Sequence, residues 1–191
     1  MPCCVANHNH KRRFNIAYIP TANQTRFIEL AKEQARIAQA ATYCLGPSSL
    51  PHVSLCHFMA EEHHIPKIWA EIGALKLSML NLRFESIRDK SYSDDSPYGG
   101  LSWISLMPNH LQELADVHLK IAKIIKHPLN HAYQDYDPHL TLLNSKNKAA
   151  CLLLSGASIA PPIEDDFILA LGTIDAVGQL TKILYVDVEL G

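Results

Sequence analysis

A five-residue pattern occurs twice in this chain, as Pro51-His52-Val53-Ser54-Leu55 and as Pro138-His139-Leu140-Thr141-Leu142. A repeat constrains topology more tightly than composition does, because the fold around the first copy has to suit the second as well. The surroundings match. His52 stands 38 positions after Phe14, the start of an apolar run to Ile19, and His139 stands 38 positions after Leu101, the start of another run to Leu106. The chain therefore reads as an internal duplication.

Hydrophobic periodicity fills in each half. Phe14 to Ile19 is β-rich and closed by Pro20, which predicts a first strand. Thr21 and Gln24 have capping-box spacing, and Phe27, Leu30, Ala31, Ala38 and Ala41 recur at helical spacing, so a helix is expected to about Thr42. Val53 to Ala60 reads as a strand, Ile65, Ile68, Trp69 and Ile72 as one helical face, and Leu77 to Ile87 as a strand. After the polar stretch 89–100 the order starts again. Leu101 to Leu106 is a strand, and Asn109 is placed to cap a helix whose stripe is Leu111, Leu114, Ala115, Ile121, Ala122 and Ile125. His139 to Leu143 is a strand and Ala149 to Leu154 a short helix. Phe167 to Ala176 and Lys182 to Leu190 flank a hairpin turn at Val177-Gly178-Gln179. Each half follows a β-α-β-α-β plan. We read 1–13 as a flexible tail and 14–191 as one bilobal α+β domain, with lobes roughly 14–88 and 101–190 whose elements can interchange.

Bulk properties exclude several classes. The chain has 191 residues, 48% of them hydrophobic and 19% charged, with a formal net charge of -2. That is enough chain to bury a core without staples, and too little positive charge to hold a polyanion by its overall field, so any phosphate must be met locally. Cys3, Cys4, Cys44, Cys56 and Cys151 are odd in number and have no C-x-x-C spacing. A reducing cytoplasm suits them. Cys3-Cys4 beside His8 and His10 is read as a frayed terminus. Lys11-Arg12-Arg13 before an apolar run mimics a signal peptide, but Pro20 and the polar residues after it cut that run short. No apolar run reaches the roughly 18 residues of a membrane-spanning helix.

Eleven histidines and a Ser or Thr at about one position in ten make roughly one bare H-x-[ST] expected by chance. The matching proline before, aliphatic residue between and leucine after are much harder to obtain by accident. Residues i and i+2 of a strand share a face, roughly 6.6 Å apart. His52 then stands beside Ser54, and His139 beside Thr141. Val53, Leu55, Leu140 and Leu142 point the other way, into the core. If a pseudo-twofold axis sets the two pairs across one cleft, a phosphodiester between them meets an imidazole on either side of phosphorus. An imidazole pKa near 6.5 lets one ring accept a proton while the other donates one. The two hydroxyls are placed to donate hydrogen bonds to the non-bridging oxygens. No metal ion or other cofactor is required by that chemistry.

Paired H-x-[ST] motifs on a duplicated α+β chain resemble the two-histidine phosphoesterase superfamily, which includes 2′-5′ RNA ligase-like proteins and 2′,3′-cyclic nucleotide phosphodiesterases. The resemblance spans about residues 14–190. It implies a bilobal fold with antiparallel sheets lining a central cleft and helices outside, catalytic roles for His52 and His139, and phosphate contacts from Ser54 and Thr141. It also implies cyclic phosphates or 2′-5′ linkages in nucleotides and RNA as substrates. The expected partner is thus a nucleotide or RNA end, with no membrane and no obligate protein partner, for a monomeric cytoplasmic protein. Many members carry an arginine shortly after the second motif, where this chain has Asn144-Ser145-Lys146.

Other residues have plainer readings. Glu61-Glu62-His63-His64 lies at a strand-to-helix turn and reads as a solvated helix start without a third ligand set. His57 has an odd offset from His52, which places it on the opposite strand face, and it is left out of the site. His118 falls on an apolar helix stripe as a core residue. His127 and His131 flank Pro128 in a loop. Tyr18 and Trp103 occupy comparable first strands of the two halves and are candidates for stacking on a base. Tyr92, Tyr98, Tyr133 and Tyr136 belong to polar segments able to form a rim. Two other functions compete: a catalytically silent module that holds a nucleotide or RNA end in the same cleft, and a metallohydrolase built on His63 and His64. The second lacks any constrained ligand spacing such as H-E-x-x-H.

Overall fold

The computed structural model describes residues 11–91, 100–125, 128–129 and 136–187. Its strands are β1 (Arg12–Pro20), β2 (Ala41–Cys44), β3 (Val53–Ala60), β4 (Leu80–Ser91), β5 (Ser102–Pro108), β6 (Leu140–Ser145), β7 (Ser158–Ile174) and β8 (Leu180–Val186). The α-helices are α1 (Gln24–Ala38), α2 (Ile65–Gly73), α3 (Leu111–Ile124) and α4 (Lys148–Leu154), with a 3₁₀ turn at Glu62–His64 ahead of α2. The architecture is α+β, and every strand pairing is antiparallel.

The strands form one sheet in the order β1-β3-β6-β5-β4-β7-β8, and β7 also pairs with β1, which closes a ring. The long strand β7 makes this possible. Its first part pairs with β4 from Leu80↔Phe167 to Ser86↔Ser158, and its second part pairs with β1 from Pro20↔Phe167 to Phe14↔Thr173. The halves of the sequence interdigitate: α1 and α4 pack on the β4, β5 and β6 side, whereas α3 packs on β3. Phe27 of α1 meets Phe84 of β4 and Phe167 of β7 edge-on, at ring separations of 5.4 and 6.1 Å. That aromatic cluster fastens a helix to the strand that joins the two sides, and each ring contributes a large buried area.

Tertiary pairing overrides local signals at several places. The α1 helix stops at Ala38, because Gln39 and Ala40 take left-handed backbone angles (φ 50 and 43) and Ala41–Cys44 turns back to pair with β6. Apolar spacing carries no information about that sheet edge. The capping box at Thr21 is not formed. Instead the carboxylate of Asp165, from β7, accepts from the backbone N–H groups of Ala22 and Asn23 and from the Thr21 hydroxyl. Asn109 does not cap α3 either: its side-chain oxygen accepts from Arg83 N at 2.8 Å, and His110 takes the cap position. Strand β1 starts before Phe14, since Arg12 and Arg13 already belong to it.

Candidate active site

The two motif strands meet directly. β3 and β6 pair antiparallel through Val53↔Leu140, the central residues of the two H-x-[ST] tripeptides. Val53 and Leu140 are fully buried on the core side. Their neighbours point the other way, because side chains alternate along a strand. The antiparallel sense puts His52 on the Thr141 side of that pair and His139 on the Ser54 side, so the imidazoles take diagonal corners and the hydroxyls the other two. All four line one cleft of about 490 Å³.

The prolines explain the ring orientation. Pro51 and Pro138 lock their own φ and bias the residue before them to extended backbone. Each histidine then folds back on the carbonyl two residues upstream: His52 Nδ1 lies 2.7 Å from Leu50 O, and His139 Nδ1 lies 2.7 Å from Asp137 O. A carbonyl only accepts, so both rings carry N–H at Nδ1 and present Nε2 as the working atom. Burial pushes the His52 pKa down to about 4, against the opposing pull of the Leu50 carbonyl, and burial lowers His139 too. Both rings are therefore neutral near pH 7 without substrate.

Cations surround the His139 side. The Asp137 carboxylate accepts from both terminal nitrogens of Arg88 at 2.8 Å and from Lys90 at 3.0 Å. Burial alone would raise its pKa, but these two cations bring it down to about 2. Lys90 lines the cleft, and so does Arg13, whose guanidinium donates to Ala176 O at 2.8 Å. The sequence alone puts Arg13 in the tail and gives no sign of Lys90; neither carries a motif, and only the sheet brings them to one cleft. In the stretch Asn144-Ser145-Lys146 that follows the second motif, Asn144 is buried and accepts a hydrogen bond from the Thr42 hydroxyl.

The aromatic candidates separate by strand parity. Trp103 and Ser105 of β5 face the cleft, with Trp103 tilted against Tyr43 at 6.5 Å. Tyr18 does not reach it. On β1 the cleft-facing positions are odd-numbered, and Tyr18 is fully buried on the core side with its hydroxyl donating to Ser78 O at 3.0 Å. Tyr136 also lines the cleft and donates its hydroxyl to Ser54 O at 3.0 Å. Tyr92, Tyr98, Tyr133, His127 and His131 lie outside the described residues.

His57 needs correction. Its Nε2 lies 3.1 Å from Ser54 Oγ and its ring lines the cleft. The cause is a β-bulge: β1 pairs Ile16↔Cys56 and then Ala17↔Ser54, so Leu55 is an extra residue that flips the alternation beyond it. The second half repeats the device. β5 pairs Ile104↔Leu143 and then Ser105↔Thr141, which leaves Leu142 as the extra residue. The fifth residue of each pentapeptide is thus the bulge. His118 is buried in the core as expected, its Nδ1 donating to Leu55 O at 2.6 Å. Glu61, His63 and His64 do bring three ligand-type atoms within 4.8 Å of one another, which the sequence did not show, but they stand outside the cleft at the turn before α2.

No protein-family model matches the sequence, and no curated protein matches it. Solved structures do match, and they show that this chain has the fold of E. coli LigT. E. coli LigT complexed with 3′-AMP superposes with a TM-score of 0.62 at 13% identity, over 92% of this chain and 96% of that one. E. coli LigT complexed with ATP gives 0.57 at 14% identity, over 93% and 97%. A structure described as a phosphoesterase gives 0.53 at 14% identity, over 93% and 97%. Among the described residues no helix is long and apolar enough to cross a membrane.

Proposed function

We propose that this chain is a metal-independent phosphodiesterase acting on a nucleotide or RNA phosphodiester, with a 2′,3′-cyclic phosphate or a 2′-5′ linkage as the bond broken. One observation carries the reading: the Val53↔Leu140 pairing, which gathers two imidazoles and two hydroxyls on one face of one cleft. The fold shared with LigT, whose solved complexes hold ATP and 3′-AMP, fits a nucleotide substrate.

In the proposed reaction, the neutral Nε2 of one histidine takes a proton from water as the water oxygen attacks phosphorus. The protonated Nε2 of the other gives its proton to the leaving ribose oxygen as the P–O bond breaks. Ser54 and Thr141 donate to the non-bridging oxygens, where charge builds up, and Arg13 and Lys90 add positive potential. Both proton transfers are covered by imidazole, so the step does not call on a metal ion. Either ring can begin as base, because the pseudo-twofold axis exchanges them. Burial disfavours charged imidazole, and a bound phosphate anion favours it. Substrate binding therefore raises the pKa of the ring that acts as acid, and that ring takes up its proton from solvent.

The test is a screen of EDTA-treated protein against 2′,3′-cyclic nucleotides, 2′-5′-linked dinucleotides and RNA with a cyclic-phosphate end. Turnover that survives the chelator is expected. Binding without turnover would favour a silent nucleotide-holding module, and loss of turnover on chelation would favour metal chemistry.

A further inference from the structure

The two hydroxyls of the cleft are not equivalent, although the motifs that carry them are. Ser54 Oγ lies 2.9 Å from Asn15 Nδ2 and 3.1 Å from His57 Nε2. A hydroxyl has two acceptor lone pairs and one proton. If both neighbours donate, the lone pairs are occupied and the proton has one remaining direction, away from them and into the cleft. We propose that His57 is a positioning residue whose Nε2–H, together with the Asn15 amide, donates to Ser54 Oγ and so aims the Ser54 proton at a non-bridging oxygen of the bound phosphate. This rests on the phosphodiesterase reading of the same cleft.

Three further features hold His57 in that role. The bulge at Leu55 turns it to the cleft face, and the carbonyls on either side of the bulge are taken up by donors from the second half of the chain. Tyr136 donates to Ser54 O at 3.0 Å and His118 to Leu55 O at 2.6 Å, with the two rings stacked 4.2 Å apart and 2° from parallel. The turn between β7 and β8 closes over the ring: a Cβ on Gly178 would lie 2.9 Å from His57 Cε1. Burial pushes the His57 pKa down to about 4, which keeps the ring neutral, with a single N–H, across the working range. The counterpart in the second half is Asn144, engaged with Thr42, so Thr141 has no equivalent imidazole beside it among the described residues.

The tautomer decides the outcome. With the proton on Nε2 the ring donates to Ser54; with the proton on Nδ1 the ring would accept from Ser54 and withdraw its proton from phosphate. A double-variant cycle on 2′,3′-cyclic nucleotide turnover tests the proposal, with thermal melts to confirm folding. His57→Leu is expected to lower kcat/KM about 10-fold, the scale of one hydrogen bond to a charged group. His57→Gln, whose amide N–H reaches the same place, is expected to recover to within about 3-fold. On a Ser54→Ala background His57→Leu should add nothing. Additive losses, or a Gln variant as poor as the Leu variant, would overturn the proposal. A ¹⁵N spectrum of the histidine rings reads the tautomer without reference to activity: a protonated Nε2 on neutral His57 supports the proposal, and an unprotonated Nε2 defeats it whatever the substrate proves to be.

Discussion

Proton transfer and hydrogen bonding differ in what their loss costs, and that difference ranks the four residues at the centre of the cleft. A general acid or base contributes about 10²–10⁴-fold, whereas one hydrogen bond to a charged oxygen is worth roughly 1.5–3 kcal/mol. His52→Ala and His139→Ala should each bring turnover close to background. Ser54→Ala and Thr141→Val should lose about 10–100-fold by that hydrogen-bond estimate, with Ser54→Ala the worse of the two because its proton is aimed by two neighbours. Steady-state rates on a cyclic-phosphate substrate check the order. Near-normal turnover in either histidine variant, with the melting transition intact, would remove that histidine from the chemistry.

Elements decide where those residues stand, and a close backbone approach among them lies between β7 and β8. A Cβ on Gly172 would lie 2.2 Å from the carbonyl oxygen of Lys182 and 2.7 Å from a Leu180 methyl, a clash with backbone that no rotamer relieves. Gly172↔Ile183 is also where the ladder shifts register. Gly172→Ala should therefore push β8 away from β7 and destabilise the fold by about 1–3 kcal/mol, the range of an overpacked core site. Urea unfolding measures the loss; a midpoint equal to that of the parent protein would mean the strands separate there at no cost. The same hairpin ends in the turn over His57, so the variant should lower turnover as well.

At the scale of the whole molecule, burial of imidazole ties stability to pH. His52 and His57 have their pKa values held at about 4, and His139 is lowered as well, whereas in the unfolded chain these rings titrate near 6.5. Between those values the unfolded chain binds protons that the folded chain refuses. Their contribution is thus complete above about pH 6.5 and declines as pH falls towards 4. One fully buried ring with such a shift is worth on the order of 3 kcal/mol over that window. Asp137, brought down to about 2 from 3.8, acts at lower pH in the same sense. Its contribution is present above its unfolded value and lost as pH falls through the folded one. Melting temperature should fall steadily from pH 7 to pH 4.5, and less so in His52→Gln. A flat curve in the parent protein would show that the rings are not held neutral. Turnover itself should follow a bell, since at low pH no base remains and at high pH no acid does. A kcat unchanged from about pH 5 to 9, the range that brackets the ordinary histidine pKa, would show that the imidazoles do not carry the proton transfers.

What can be read without coordinates is local in sequence. Proline, histidine, an aliphatic residue and a hydroxyl within five positions encode an extended strand with its polar pair on one face. Two copies at equal distances from two apolar runs encode a duplicated α+β plan. Those relations are set by backbone geometry over a few residues, so they survive without knowledge of the partner strands. The places of His57, Arg13 and Tyr18 are not legible in that way, because each depends on something distant. The Leu55 bulge exists only because the facing strand has one residue fewer, and Tyr136 and His118 arrive from the second half to take the carbonyls of Ser54 and Leu55. Tyr18 and Trp103 belong to comparable strands, yet only the register of the closed sheet determines which of them faces the cleft. Helix α1 yields to β2 because an edge of β6 offers hydrogen bonds that apolar spacing does not record. Residue types and their periods determined the chemistry available to this chain; pairing between distant strands decided which side chains share one cleft, because side-chain direction in a sheet flips with every residue of register.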